Sequence, residues 1–458
     1  MSIGVVGSHR TIGQMPADPT GRGATYVIAA SNAPAHVKAQ ADYVMPNAGA
    51  DLGAIVNAAI ASGYYSISLS QGTFKNSTTP VLSVDGISFS GQGNTTILTP
   101  SADVDVISVT GDYVHLSNFK IEGDKGARAS GDGVSLESTS RFTRLDHITV
   151  RNIKDNGIVL NDSVDTQMDF IHSELNGVGM KIIGGGGLTT SNIILNTNDG
   201  EGLNITGFTW ALFNSPRIWG NIGNGVVIQP SATQDVYYVH FIGGDIDGNQ
   251  MNGILFQSPN GNTLSMYQIL LQGIQFGDNS LTHGNTYDDI KWTRTGTGSL
   301  SQMEISQCGF PAQSSVKYRI NFNNSPIGVS NIDINHNNFA VAIGGTGKIY
   351  ADRSTSRLRI KDNQGYVTET TIYSANFAID STGNKTTHTA HLLDMTPEMK
   401  NVSVSVVLVT GVLDWSFDKL VIYTVDATHV DVWLNVNVAS ATAGAVAKFA
   451  ITLSSLGN

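Results

Sequence analysis

The chain has one cysteine, Cys308, so no intrachain disulfide and no thiolate metal cluster can form. Charge is also scarce: only 14% of residues are Asp, Glu, Lys or Arg, where about a quarter is usual. What charge there is leans acidic, with a formal net charge of -11. That balance lacks the basic footprint needed for non-specific binding to nucleic acid or anionic membranes, and it mildly disfavours a strongly polyanionic ligand. Long apolar runs are missing as well. The most apolar segment, VSVSVVLVTGVL (402–413), alternates and reads as a strand, so no membrane insertion is expected. The opening MSIGVVGSHRTIG has no charged region followed by an apolar core, so no ordinary secretion signal is visible. Histidines 115, 147, 172, 240 and 336 show no metal-ligand spacing. The GGGG run at 184–187 lacks the lysine and helix of a phosphate-binding loop and reads as a flexible corner. Neither a metal nor an organic cofactor is implied.

What is abundant is glycine, with 50 residues, and it is periodic. Polar residues, a glycine and then alternating apolar residues recur as GDGVSL (131–136), DNGIVL (155–160), GVGMKI (177–182), GEGLNI (200–205), GNGVVI (223–228) and QMNGILF (250–256). The aligned glycines 133, 157, 179, 202, 225 and 253 are spaced 24, 22, 23, 23 and 28 residues apart. Such a period is too short for a helical-pair repeat and fits two or three short strands per turn, with glycine at the corners. A second alternating strand lies just upstream. Its inward positions are Ile148 and Val150, Phe170 and His172, Ile193 and Leu195, Pro216 and Ile218, then Gly244 and Ile246. On this alignment His172 is a hydrogen-bonded core histidine. Stacked parallel strands, each rung about 4.8 Å from the next, explain the register.

The ends depart from the repeat. Asp51 can N-cap a helix over 51–62 in which Ile55, Val56, Ala59 and Ile60 form an apolar stripe, suited to covering the open end of a solenoid. Beyond about residue 361 the spacing is lost, and longer alternating strands read as a separate antiparallel β-sandwich. The expected organisation is therefore all-β. Residues 1–40 form an arm or linker, 41–360 a parallel β-helix with its capping helix, and 361–458 a C-terminal β-sandwich.

The segment DLGAIVNAAIASGYYSISLSQGTF (51–74), with ISFSGQGNTTIL and the turns after it, resembles the pectate-lyase-like right-handed β-helix superfamily, and within it bacteriophage tailspikes and related capsular depolymerases. The matching residues are Asp51, Ala59, Ile60, Ile67, Leu69, Gly72 and Thr73, while Ser70 and Phe74 replace the usual proline and tyrosine. The resemblance covers about residues 41–345. It implies a right-handed parallel β-helix and a homotrimer that binds and cuts a bacterial surface polysaccharide. It also implies a place in the virion or outside the cell, with the N-terminus free to meet other phage tail or baseplate proteins, and a C-terminal domain that promotes trimers or binds glycan. The superfamily includes hydrolases, lyases, epimerases and non-catalytic members, so function must be argued from the site.

The turn alignment supplies one. In FIGGDIDGN (241–249), Asp245 and Asp247 project outward, with Arg217 and Trp219 beside them on the preceding rung. Outward carboxylates two residues apart have Cβ atoms about 6.5–7 Å apart. That is near the roughly 6.5–9.5 Å of inverting glycosidases rather than the 5–5.5 Å of retaining ones. One aspartate would protonate the glycosidic oxygen and the other would activate water, with Trp219 stacking on a sugar ring and Arg217 binding substrate. Glu174, two turns earlier, is a further catalytic candidate, and the corner residues Asp199 and Glu201 are substrate-binding candidates. The plainer alternative is a surface ion pair between Arg217 and Asp245, with Asp247 merely preceding a turn. Two other activities stay open: a lyase with Arg151, Lys181 or Arg217 as charge neutraliser, and a non-catalytic glycan-binding fibre.

Overall fold

A computed structural model describes residues 25–364, apart from 282–283, 285, 313–315, 323–327, 341–346 and 352–355. Beyond 364 it describes only the backbone of strands within 369–455. The chain divides into two compact units, residues 1–172 and 173–458.

In the first unit, successive strands pair in parallel: Ser66–Leu69 with Ser88–Ser90, Ser88–Ser90 with His115–Glu122, and His115–Glu122 with Arg144–Arg151. Thr25–Ala29 pairs in parallel with Ser66–Leu69, so the arm expected over 1–40 gives way to ordered strand by residue 25. The cause is local, since Ile28 and Ala29 are fully buried and have a partner strand to complete. The helix runs Leu52–Ala61, and Asp51 caps it by accepting from the Gly53 amide at 3.2 Å. The same carboxylate oxygen accepts from the Ser77 and Thr78 amides, which ties the helix start to the following loop. Ser70, standing where the resemblance leads one to expect proline, receives the Ala30 amide on its hydroxyl at 3.0 Å. Proline has no side-chain acceptor to offer that strand.

In the second unit each turn carries three strands. One turn is Leu203–Thr206, Thr209–Asn214 and Arg217–Trp219. The next is Val226–Gln229, Val236–Ile242 and Asp245–Asp247, followed by Ile254–Ser258, Met266–Gln272 and Gln275–Gly277. Each strand pairs in parallel with its equivalent one turn on. Like side chains stack in the core: Ile205, Ile228, Phe256 and Trp292 share one column, and Ile218, Ile246 and Phe276 another. All are at most 1% exposed. Burying an Ile or Phe side chain stabilises by about 1.5–3 kcal/mol, and repetition of the column turns that into a rigid wall. From Glu369 onward the pairing becomes antiparallel. Glu369–Tyr373 and Lys400–Thr410 pair with Val446–Ser455, while Gly383–Ala390 and Ser416–Val425 pair with His429–Asn437.

The inward columns hold at Ile148, Val150, Ile193, Leu195, Pro216, Ile218 and Ile246, all buried. They fail in the strand Val164–Glu174. There Phe170 is 49% exposed, while Ile171 and Ser173, expected outward, are buried. His172 is correspondingly half-buried and not a core residue. Phe170 has φ of 51°; a left-handed residue breaks the two-residue alternation, so every side chain after it changes face.

Candidate functional site

The two aspartates are aimed by the corners on either side of them. Before them, Gly243 and Gly244 have φ of 66° and 85°, and the Asp245 amide donates to the Pro216 carbonyl at 2.9 Å. A Cβ on Gly244 would lie 2.1 Å from that carbonyl oxygen, so only glycine lets the rungs close here. After them, Gly220 and Gly248 turn the chain with φ of 68° and 61°. Asn221 and Asn249 follow, both fully buried.

These asparagines belong to a ladder that the sequence reading missed. Asn176, Asn198, Asn221, Asn249 and Asn279 occupy the same corner on successive turns. Each Oδ1 from Asn198 onward receives the backbone amide of the preceding asparagine. The side-chain amides of Asn198, Asn221 and Asn249 likewise donate to the next Oδ1 at 2.8, 2.9 and 3.0 Å. The ladder ends where Asn279 donates to Asp289. The Asp289 carboxylate is fully buried against Arg319 at 2.8 Å, and burial pushes its pKa up to about 6. One signal was legible: an asparagine recurs three residues beyond Leu195, Ile218, Ile246 and Phe276.

Between those corners the register pairs Arg217 with Asp245 and Trp219 with Asp247. Ile218 and Ile246 point into the core, while Trp219 is 38% exposed. Arg217 Nε lies 3.3 Å from Asp245 Oδ1 in a solvent-accessible ion pair, worth about 0–1 kcal/mol to stability. The carboxyl of Asp247 is shifted above the usual aspartate range. Partial burial is the main cause, followed by the charges of Asp278 and Asp245, and the Gly248 amide opposes them. Asp278, one turn on, is a third carboxylate that the turn alignment passed over because it is itself the positive-φ corner residue, with φ of 23°. Asp247 lies over Gly277 on the next rung, where a Cβ would stand 2.6 Å from its Oδ1. That glycine is the space the carboxylate occupies.

The other candidates are placed differently. Glu174 falls in the same outward column as Asp247, through the chain of amides Leu175 to Asn196, Thr197 to Trp219 and Gly220 to Asp247. Three rungs separate the two, about 14 Å, too far to share one proton transfer. Asn196, expected outward in this column, is 4% exposed. Asp199 and Glu201 lie on the next corner, past the buried Asn198. There the Asp199 amide donates to Asn176 O, and the Glu201 carbonyl accepts from Gly179.

The first unit holds a separate acidic group. Asp105 and Asp132 both have carboxyls shifted upward, chiefly by burial. Their oxygens are engaged by backbone: Asp105 accepts from the Asp132 amide, and Asp132 from the amide and side chain of Asn156. Arg128, in the loop 124–133, carries the counter-charge and donates to the carbonyls of Ala102 and Val104. These bonds make the group a structural clamp. Among the described residues, no group of three or more His, Cys, Asp or Glu is arranged to hold a metal ion.

No protein-family model and no curated protein matches the chain. Solved structures do. The A-module of an Azotobacter vinelandii mannuronan C-5 epimerase superposes with a TM-score of 0.56 at 14% identity, covering 69% of this chain and 96% of that one. The enzymatically active domain of tailspike protein 2 of bacteriophage CBA120 gives 0.56 at 16% identity, covering 82% of this chain and 62% of that one. The fold is a right-handed parallel β-helix. The β-helix chain spans 62% of that tailspike domain and 56% of the full-length tailspike protein 2 from an Escherichia coli O157:H7 bacteriophage. At these identities the likeness establishes the fold, and the chemistry rests on the residues.

Proposed function

We propose that the protein is a tailspike-type depolymerase that binds a bacterial surface polysaccharide and hydrolyses its glycosidic bonds with Asp245 and Asp247. The observation that carries this reading is the pairing of an exposed Trp219 with Asp247, a carboxyl that stays protonated above the usual aspartate range. Asp247 is then the general acid that gives its proton to the glycosidic oxygen. Asp245, ion-paired to Arg217, is the base that takes a proton from the attacking water. Same-face placement two residues apart on a strand sets the Cβ atoms about 6.5–7 Å apart, in keeping with the wider carboxylate spacing. Inversion at the anomeric centre is the expected outcome. Trp219 supplies a flat face for the sugar, and Arg217 meets its hydroxyl or carboxylate groups. Glu174 extends this face as a remote substrate contact, and Asp199 and Glu201 meet substrate from the adjoining corner. The mannuronan epimerase and the tailspike with the same fold support a polysaccharide substrate by analogy. The proposal extends to a homotrimer carried on a phage tail, attached through the N-terminal residues. The helix at 52–61 acts as cap, and the C-terminal strands form a sandwich for trimerisation or glycan binding.

The test is reducing-end release from purified capsular and O-antigen polysaccharides by the wild type and by Asp247→Asn. Loss of release with retained binding is expected in the variant, and full activity there would refute the assignment. Arg217 beside the acids favours one competitor, a lyase in which it neutralises a uronate; an unsaturated, ultraviolet-absorbing product without Asp247 dependence would select it.

A further inference from the structure

The strand Thr209–Asn214 carries an unusual residue. Trp210 has φ of 63° and is 56% exposed, so a bulky ring stands outward on a backbone that bulky residues avoid. Equivalent left-handed positions on neighbouring turns are Gly187, Tyr238, Gln268, Gln302 and Asn331, each skipped by the strand register in the same way. Glycine, asparagine and glutamine fill most of the column, and tryptophan and tyrosine break it at adjacent rungs. Their rings stack, with centroids 4.1 Å apart and planes 21° from parallel. Beside them Tyr237 stacks on Tyr267 at 5.3 Å. Tyr238 thus covers one face of Trp210. The rung on the other side is the glycine run 184–187, which the depolymerase mechanism does not use. Gly187 puts no side chain opposite the ring, and a Cβ on Gly186 would collide with Thr209 Oγ1 at 2.5 Å. The Gly185 carbonyl is held by Gln234 at 2.9 Å, which fixes the shelf.

We infer that Trp210, backed by Tyr238 and bordered by the glycine shelf 185–187, is a saccharide-binding subsite distinct from the Asp245–Asp247 pair. A sugar ring stacks its apolar face on the open side of the indole. The strip continues through Gln268, Gln302 and Asn331, with Thr209, Ser301 and Ser330 in the adjoining column, all uncharged hydrogen-bonding groups. Aromatic faces followed by neutral amides and hydroxyls match the alternating CH faces and hydroxyls of a glycan. A second copy of the chain would need a broad, largely apolar patch of about 800 Å² per partner, which this narrow polar-edged strip does not offer. Trp210 lies seven residues before Arg217 on the same turn, at most about 25 Å away along an extended chain. The subsite therefore grips the polymer beyond the bond being cut. The inference rests on the polysaccharide reading of the site.

The experiment uses Asp247→Asn as the binding-competent background and a panel of immobilised capsular and O-antigen polysaccharides as probes. Trp210→Ala and, separately, Gly187→Asn, which keeps a left-handed backbone but fills the slot, are added to it. Each is expected to weaken retention on the bound polysaccharide by about tenfold or more, with oligomeric state and thermal midpoint unchanged. Retention equal to the background in both variants overturns the subsite alone. A change of oligomeric state in Trp210→Ala also overturns it, by making the strip a contact between copies. Failure of the background to bind any member of the panel overturns the polysaccharide reading and the subsite together.

Discussion

Replacing Asn221 with alanine tests whether the asparagine ladder holds the site strands in place. Asn221 Nδ2 donates to the Leu195 carbonyl at 3.1 Å and to Asn249 Oδ1 at 2.9 Å, while its Oδ1 accepts from the Asn198 amide at 3.0 Å and from Asn198 Nδ2 at 2.8 Å. Two of the four partners have fallbacks. Asn249 Oδ1 still receives the Asn221 backbone amide, and Asn198 Nδ2 still reaches the Ser173 carbonyl. The Asn198 amide and the Leu195 carbonyl lose their ladder partner in a corner where both residues are fully buried. A buried polar group stripped of its partner costs about 1–3 kcal/mol, so with two such groups Asn221→Ala should cost about 2–6 kcal/mol. Exposed Asn214→Ala, as control, should fall within about 0.5 kcal/mol. Guanidinium unfolding measures the first quantity, and native-state hydrogen exchange at the Asn198 amide gives the local one. A cost below about 1 kcal/mol, with Asn198 protection unchanged, would show that the ladder does not bear the corner.

Two further outcomes follow from the same geometry. The charge of Asp278 helps raise the Asp247 carboxyl, so Asp278→Asn should lower it. A general acid acts only while protonated, so the falling, alkaline limb of the pH–rate profile should move to lower pH; a limb that stays put would separate Asp278 from the chemistry. Cys308 lies in a different corner, just before the strand Gly309–Phe310, where its backbone amide donates to Asn337 Oδ1; it is buried, with its thiol pushed up to about 12 by desolvation. It should resist alkylation in native protein and react on unfolding, and Cys308→Asn, which would extend the separate Asn337–Asn363 pair by one rung, should add about 1 kcal/mol of stability; rapid native labelling, or a destabilised Asn variant, would count against this.

Glycine spacing and strand alternation disclosed the solenoid because both are consequences of a backbone that repeats every turn. The pairs Arg217–Asp245 and Trp219–Asp247 followed from that register and stand where the alignment put them. Alternation cannot report a left-handed residue, and so Phe170 shifted the phase and misplaced His172, Ile171 and Ser173. The same blindness hid Trp210, whose outward direction comes from positive φ and not from parity along the strand. Asp278 was overlooked for a related reason, since it lies just beyond the aligned positions. The separation of Glu174 from Asp247 depends on counting rungs, which needs the hydrogen-bond partners of each turn.

The corner that precedes the aromatic strip varies in length while the rungs around it do not. Two residues join Leu203–Thr206 to Thr209–Asn214, six join Val226–Gln229 to Val236–Ile242, and seven join Ile254–Ser258 to Met266–Gln272. Closing a longer loop costs little, about 0.6 kcal/mol for each doubling, and the paired strands on either side keep their partners. New segments can thus be spliced into this corner, or exchanged between chains of this type, without disturbing the acids one face away. On the proposed reading, in which the target is the changeable coat of a bacterium, that separates what is free to diversify from what must stay fixed.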